Sequence, residues 1–122
     1  MEYALWRVEV EMPEEFTWVT RDGVGVVYPP RELDISNADQ LRQCCQDAMV
    51  SARVVVDLSA TRFLDSVALT VLVHVHRQLE AAGGWLRLAA GHGTMIQRVL
   101  QLTRLDDYLG NYPSVHKAIH DA

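Results

Sequence analysis

The chain is poor in several things that mark particular classes of protein. Its only cysteines are Cys44 and Cys45, which are neighbours. Adjacent cysteines rarely close a disulfide, because the ring is strained. No second pair exists to build a framework, so the expectation is a reducing compartment and a cytoplasmic location. Long apolar runs are missing too. The longest, near Val67 to Val75, contains His74 and is far too short to span a bilayer. The opening MEYALWRVEVEMPEE carries Glu2, Arg7, Glu9 and Glu11 and so lacks a signal-peptide core. A basic surplus is absent as well: 11 Lys and Arg against 16 Asp and Glu give a net charge of −5. That balance argues against nonspecific binding to nucleic acid, which needs cations to displace counterions.

What is present reads as one soluble domain, residues 1–122. The length suffices for a single core, and 49% hydrophobic with 22% charged residues is ordinary for a globular chain. Ala4 to Val10 alternates, with Ala4, Trp6, Val8 and Val10 on one face of an expected strand. Phe16 to Val19 is a second, weaker strand. Asp22-Gly23 is a hairpin-turn signal, Val24 to Tyr28 the return strand, and Pro29-Pro30 its end. Ser36 is the expected cap of a helix whose apolar face is Ala38, Leu41, Cys45 and Ala48, with Asp39 favouring its first turn. At least one of the two cysteines packs in that face.

Arg53 to Leu58 is β-branched and nearly all apolar, as a central strand covered on both faces would be. Ser66 to Ala82 predicts a largely buried helix, with Val67, Val71, Leu72, Val75, Leu79 and Ala82 apolar and Gly83-Gly84 closing it. Trp85 to Ala89 is a strand, and Thr94 caps a helix built on Met95 or Ile96, Val99, Leu100, Leu102 and Leu105. Leu109 to Tyr112 is a short strand. Pro113 opens a last helix with Val115, Ala118 and Ile119 inward. Strands that alternate with helices in this order imply a mixed sheet with helices packed against it.

Chemistry-bearing motifs are few. His74 and His76 lie two apart on a helix and point in different directions. His116 and His120 are four apart, a metal-capable spacing, but no third ligand accompanies them. There is no CxxC, no His-Glu pair and no phosphate-binding glycine loop; the Gly91-His92-Gly93 run is too short to be one. Nothing selects a Ser66–His–Asp triad over chance. The chain is expected to be no enzyme and to need no cofactor or metal.

The stretch FLDSVAL, 63 to 69, joins the central strand to the long helix. A helix start is electropositive and offers free N–H donors, so Asp65 or Ser66 is either a simple N-cap or part of a phosphate site. The surrounding motifs are Val56-Asp57-Leu58, Phe63, Asp65-Ser66-Val67-Ala68-Leu69, Gly83-Gly84, Leu86-Arg87-Leu88 and Leu100 to Leu105, preceded by Arg31-Glu32-Leu33-Asp34. In order and spacing, from about Val24 onward, they resemble the STAS domain family of anti-sigma factor antagonists. The resemblance implies an α/β fold: a mixed sheet of four or five strands with about four helices packed mainly on one side. It implies an anti-sigma factor as partner, usually also a serine kinase with a GHKL-type ATP site, and release of a sigma factor on binding. A second copy of the chain is a further expected partner; nucleic acid and membrane are not.

The family motif opens the helix with Asp-Ser-Ser-Gly or Asp-Ser-Thr-Gly, and the residue after Asp-Ser is the phosphoacceptor. Here that residue is Val67, which has no hydroxyl. Ala68, Arg104 and Arg31 replace usual glycines. Two readings follow: a partner bound without the phosphate switch, or Ser66 as the acceptor. The implied partner surface is Asp34, Arg62, Phe63, Asp65, Ser66 and Val67, at one end of the sheet. Other roles known in the family stay open: a structural or regulatory subunit of a lipid-transport ATPase or a stress-sensing assembly, or a small-ligand sensor.

Overall fold

The Asp22-Gly23 pair makes the turn its sequence suggests. Both residues take positive φ, 53° and 79°, as a two-residue hairpin turn requires. The turn joins β1 (Thr17–Arg21) to β2 (Val24–Tyr28) in antiparallel register, Arg21 opposite Val24 and Thr17 opposite Tyr28. The computed structural model describes residues 15–121, so the alternating Ala4–Val10 segment lies outside the described residues.

Beyond the hairpin come β3 (Glu32–Leu33), α1 (Ala38–Asp47), β4 (Arg53–Asp57), β5 (Phe63–Leu64) and α2 (Ser66–Ala81). The chain continues through β6 (Trp85–Ala89), α3 (Met95–Leu102), α4 (Leu105–Leu109), β7 (Asn111–Tyr112) and α5 (Val115–His120). Among the described residues a five-stranded sheet runs in the order β1-β2-β4-β6-β7, with only β1 antiparallel to its neighbour. Each parallel step is a crossover: α1 between β2 and β4, α2 between β4 and β6, α3 with α4 between β6 and β7. β3 and β5 form a separate parallel pair beyond the ends of β2 and β4.

The alternation of the central strands divides the core. Val27, Val54, Val56, Leu86 and Leu88 pack with Leu41, Cys45, Ala68, Val71, Leu72, Val75, Leu79, Ile96, Leu100 and Leu109 under α1 to α4. Val24, Val26, Val55 and Ala89 face the other way, against Val115, Ala118 and Ile119 of α5. Covering both faces explains why β4 is apolar at successive positions. On the α5 side Arg87 lies over the Trp85 ring, 3.9 Å from its centroid. It donates to the carbonyls of Ala118 and Asp121 at 2.9 and 2.8 Å, satisfying the end of α5.

Four sequence expectations are corrected. Ser36 does not cap α1. Asn37 holds the cap position, and Ser36 instead donates its N–H and hydroxyl to Asp34 Oδ1, a local aspartate turn that competes with the helix. The long helix is one-sided rather than largely buried: Val67, Thr70 and His74 are exposed, as is Ala82 just past its end. On α3 it is Ile96 that packs, while Met95 and Leu102 face solvent. Leu105 and Leu109 belong to a separate five-residue helix, not to α3 or a strand. The expectation that at least one cysteine packs in the α1 face holds, since both Cys44 and Cys45 are buried.

Candidate functional site

Residues 31–37 and 61–68 are far apart in sequence and meet at one end of the sheet. Thr61 begins the approach, its hydroxyl donating to the Pro30 carbonyl from a buried position. Arg62 and Phe63 both donate their N–H groups to the Arg31 carbonyl, at 2.7 and 3.2 Å, and Asp65 N–H donates to Leu33 at 3.0 Å. Leu33 and Leu64 turn into the core while Glu32 and Phe63 turn out. The pairing is short because its job is to hold one loop against another, not to extend the sheet.

Asp65 is the joint. Its backbone is extended, its Oδ1 accepts from Ala68 N–H at 3.0 Å, and so it caps the sixteen-residue α2. Its Oδ2 accepts from Ile35 N–H at 3.1 Å. One carboxylate therefore fixes the helix start and the 33–35 segment to each other. Asp34 is tied in turn: its N–H donates to Asn37 Oδ1 at 3.0 Å, and Asn37 Nδ2 donates to the Glu32 carbonyl at 2.9 Å. The segment carries few free backbone groups and has little freedom to move.

What this frame presents to solvent includes both apolar and charged side chains. Ile35 is 74% exposed, Phe63 50% and Val67 36%. Arg62 and Ser66 are exposed, and Asp34 and Asp65 are half-buried. The structure thus brings together the six residues singled out in the sequence. Ile35 was missed there. It stands beside Asp34, held by the Asp65 bond to its N–H, which no local sequence pattern announces.

The remaining sequence candidates fall elsewhere. His74 is exposed and His76 buried, so they do diverge. His76 Nδ1 accepts from Leu86 N–H at 3.1 Å, which places the ring proton on Nε2, 3.3 Å from Glu80 Oε2. His76 is therefore a structural link between α2 and β6, and Tyr108 of α4 packs edge-on against it. The His116 and His120 rings lie 4.6 Å apart with their planes tilted by 48°, and His120 bonds Asp22 at 3.1 Å. Among the described residues no group of three or more His, Cys, Asp or Glu is placed to hold a metal. Burial, with Asp47 nearby, pushes the Cys44 thiol up to about 11, and burial pushes Cys45 up further still. Both are unreactive core thiols near neutral pH. No helix of the described residues is long and apolar enough to cross a membrane.

Comparison with known proteins bears on the same elements. Residues 15–118 match the STAS domain family. The chain belongs to that family. A candidate anti-sigma factor antagonist of Thermotoga maritima is 27% identical over 109 residues, which is 87% of this chain and 96% of that protein. The crystal structure of an anti-sigma factor antagonist from Mycobacterium paratuberculosis is 31% identical and superposes with a TM-score of 0.72, covering 88% of this chain and 93% of that one. The unphosphorylated Bacillus antagonist SpoIIAA shares the fold, with a TM-score of 0.68 at 24% identity over 86% of this chain and 93% of that one.

Membership in the STAS family gives the departures from its pattern a structural meaning. Ala68, where the family favours glycine, is fully buried and offers its N–H to Asp65, so a methyl is accommodated there. Arg104 is different. It takes φ 62° and ψ 20°, the left-handed region where glycine is at ease and an L side chain is strained. Val67 is the second residue of α2 and is exposed.

Proposed function

We propose that this chain is an anti-sigma factor antagonist: a single-domain binding protein, not an enzyme, that docks an anti-sigma factor and so releases a sigma factor. The docking face is the β3–β5 pair with the start of α2, and its residues are Asp34, Arg62, Phe63, Asp65, Ser66 and Val67. The observation that carries this reading is the joint at Asp65. It holds two separate segments as one preformed face that exposes the apolar Ile35, Phe63 and Val67 beside charged residues. A preformed face of that composition suits protein binding, because little ordering entropy opposes docking. The family and the named relatives supply the kind of partner.

In this reading the partner is an anti-sigma factor of the serine-kinase type, and Val67 denies it a hydroxyl at the family's acceptor position. Phosphate on a docked face works by like-charge repulsion and desolvation. With valine there, the complex forms whether the partner carries ATP or ADP. The test is to mix the chain with the serine-kinase anti-sigma factor of the same organism and ATP. Titration calorimetry and intact mass are then read together. Tight binding with no added phosphate is expected. Stoichiometric phosphate on Ser66 would restore the switch and contradict the role given to Val67. Failure to bind any anti-sigma factor, with capture of a transporter or a sensing assembly instead, would overturn the proposal as a whole.

A further inference from the structure

Among the described residues β1 is the edge of the five-stranded sheet, and every one of its residues is exposed. The two-residue turn closes on Arg21 and Val24, so that pair, Val19–Val26 and Thr17–Tyr28 are the hydrogen-bonded ones. The N–H and C=O groups of Trp18 and Thr20 therefore point outward. Edges of this kind are usually blunted by lysine, proline or a bulge. Thr17–Arg21 contains neither residue, and its register with β2 runs unbroken.

We propose that this edge pairs antiparallel with β1 of a second copy of the chain, about a two-fold axis through Trp18. Outward-facing residues must oppose outward-facing residues, which restricts the register to a short set. With Trp18 opposite itself, Thr20 meets Phe16 of the second copy, Thr17 meets Val19, and Glu15 meets Arg21. Opposite charges then lie directly across from each other at both ends, and the two half-exposed Trp18 rings adjoin at the centre, on the α1 side of the sheet. Shifting the axis to Val19 sets Glu15 opposite Gly23 and loses both charge pairs. The charge pattern of the strand therefore favours one register and one partner, another copy of itself. None of these residues belongs to the docking face, so pairing leaves that face free.

The test is sedimentation of the full chain over a dilution series, with melting followed by circular dichroism to confirm that each variant is folded. The wild type is expected to sediment as a dimer that dissociates on dilution. Arg21→Glu places like charges across both ends and should weaken association roughly tenfold or more. Combining it with Glu15→Arg should restore the dimer. Thr20→Pro removes an outward N–H while sparing the ladder to β2, and should also give a monomer. A dimer indifferent to Arg21→Glu and Thr20→Pro would place self-association elsewhere and overturn the proposal. A wild type monomeric at every concentration would overturn it too.

Discussion

The two ends of α2 are built to opposite ends. At its start, Asp65 satisfies the backbone while the side chains around it, Phe63, Ser66 and Val67, are left in solvent. At its finish the backbone bonds are also complete, with Gly83 N–H to Glu80 and Gly84 N–H to Leu79, the pattern of a glycine-terminated helix. There, however, the contacts are closed inward. A Cβ on Gly84 would stand 1.6 Å from the Ala52 carbonyl oxygen, and buried His76 joins the helix to β6. The first end spends its order on presenting a surface, the second on joining helix to sheet. Changes at the finish should therefore cost stability and spare partner binding in what remains folded. Changes at the start should do the reverse.

Gly84→Val is the largest expected break. No side chain can yield, because the clash is with backbone, and the loss should exceed about 3 kcal/mol in chemical denaturation. His76→Leu comes next. It leaves the Leu86 N–H buried without an acceptor, which should cost about 2 kcal/mol, again with binding unchanged at temperatures where the variant is folded. At the other end, Phe63→Ala should weaken anti-sigma factor binding by roughly tenfold to a hundredfold, since an aromatic is the usual anchor of such faces, while moving stability by less than about 0.5 kcal/mol. Asp65→Ala crosses the division. It loses the cap, about 1 kcal/mol, and unties Ile35 as well, so both readouts should move together.

The smallest effects lie at strained or buried groups away from α2. Arg104→Gly relieves a left-handed side chain and should stabilise by about 0.5 kcal/mol after the added freedom of the unfolded chain is counted. For Cys44 the sign runs toward alkali. Its thiol is raised in the folded state from 9.0 to about 11, so the folded form favours the neutral thiol. That contribution is whole below pH 9 and is lost as pH climbs from 9 through 11. An alkaline denaturation series on Cys44→Ala should show a correspondingly weaker loss over that window.

Much of this division was legible in the residues. Alternation and glycine placement located β2, β4, β6 and the finish of α2, because there the sequence states local rules that the fold obeys. The hairpin at Asp22-Gly23 is the plainest case. The start of α2 was legible only in part. Asp65 could be read as a cap, but its second bond, to Ile35 thirty residues upstream, depends on β3 and β5 finding each other, and two-residue strands carry no period. Ser36 was misread because a serine before a helix can bond backward to Asp34 as readily as forward. α4 escaped for the same reason as β3: five residues are too few to show a face. His76 was read only as diverging from His74, and its bond to Leu86 is a tertiary fact.

The central claim is that the start of α2, with valine at its second residue, is where a protein partner docks. Its most direct test is to put a negative charge at that residue alone. Val67→Glu should fold with a melting temperature within about 3 °C of the wild type, because the side chain is exposed on a capped helix. It should nonetheless raise the Kd for the anti-sigma factor by roughly a hundredfold, through a charge desolvated against the partner. Unchanged affinity in a folded Val67→Glu protein would contradict the account, because the partner would then dock elsewhere.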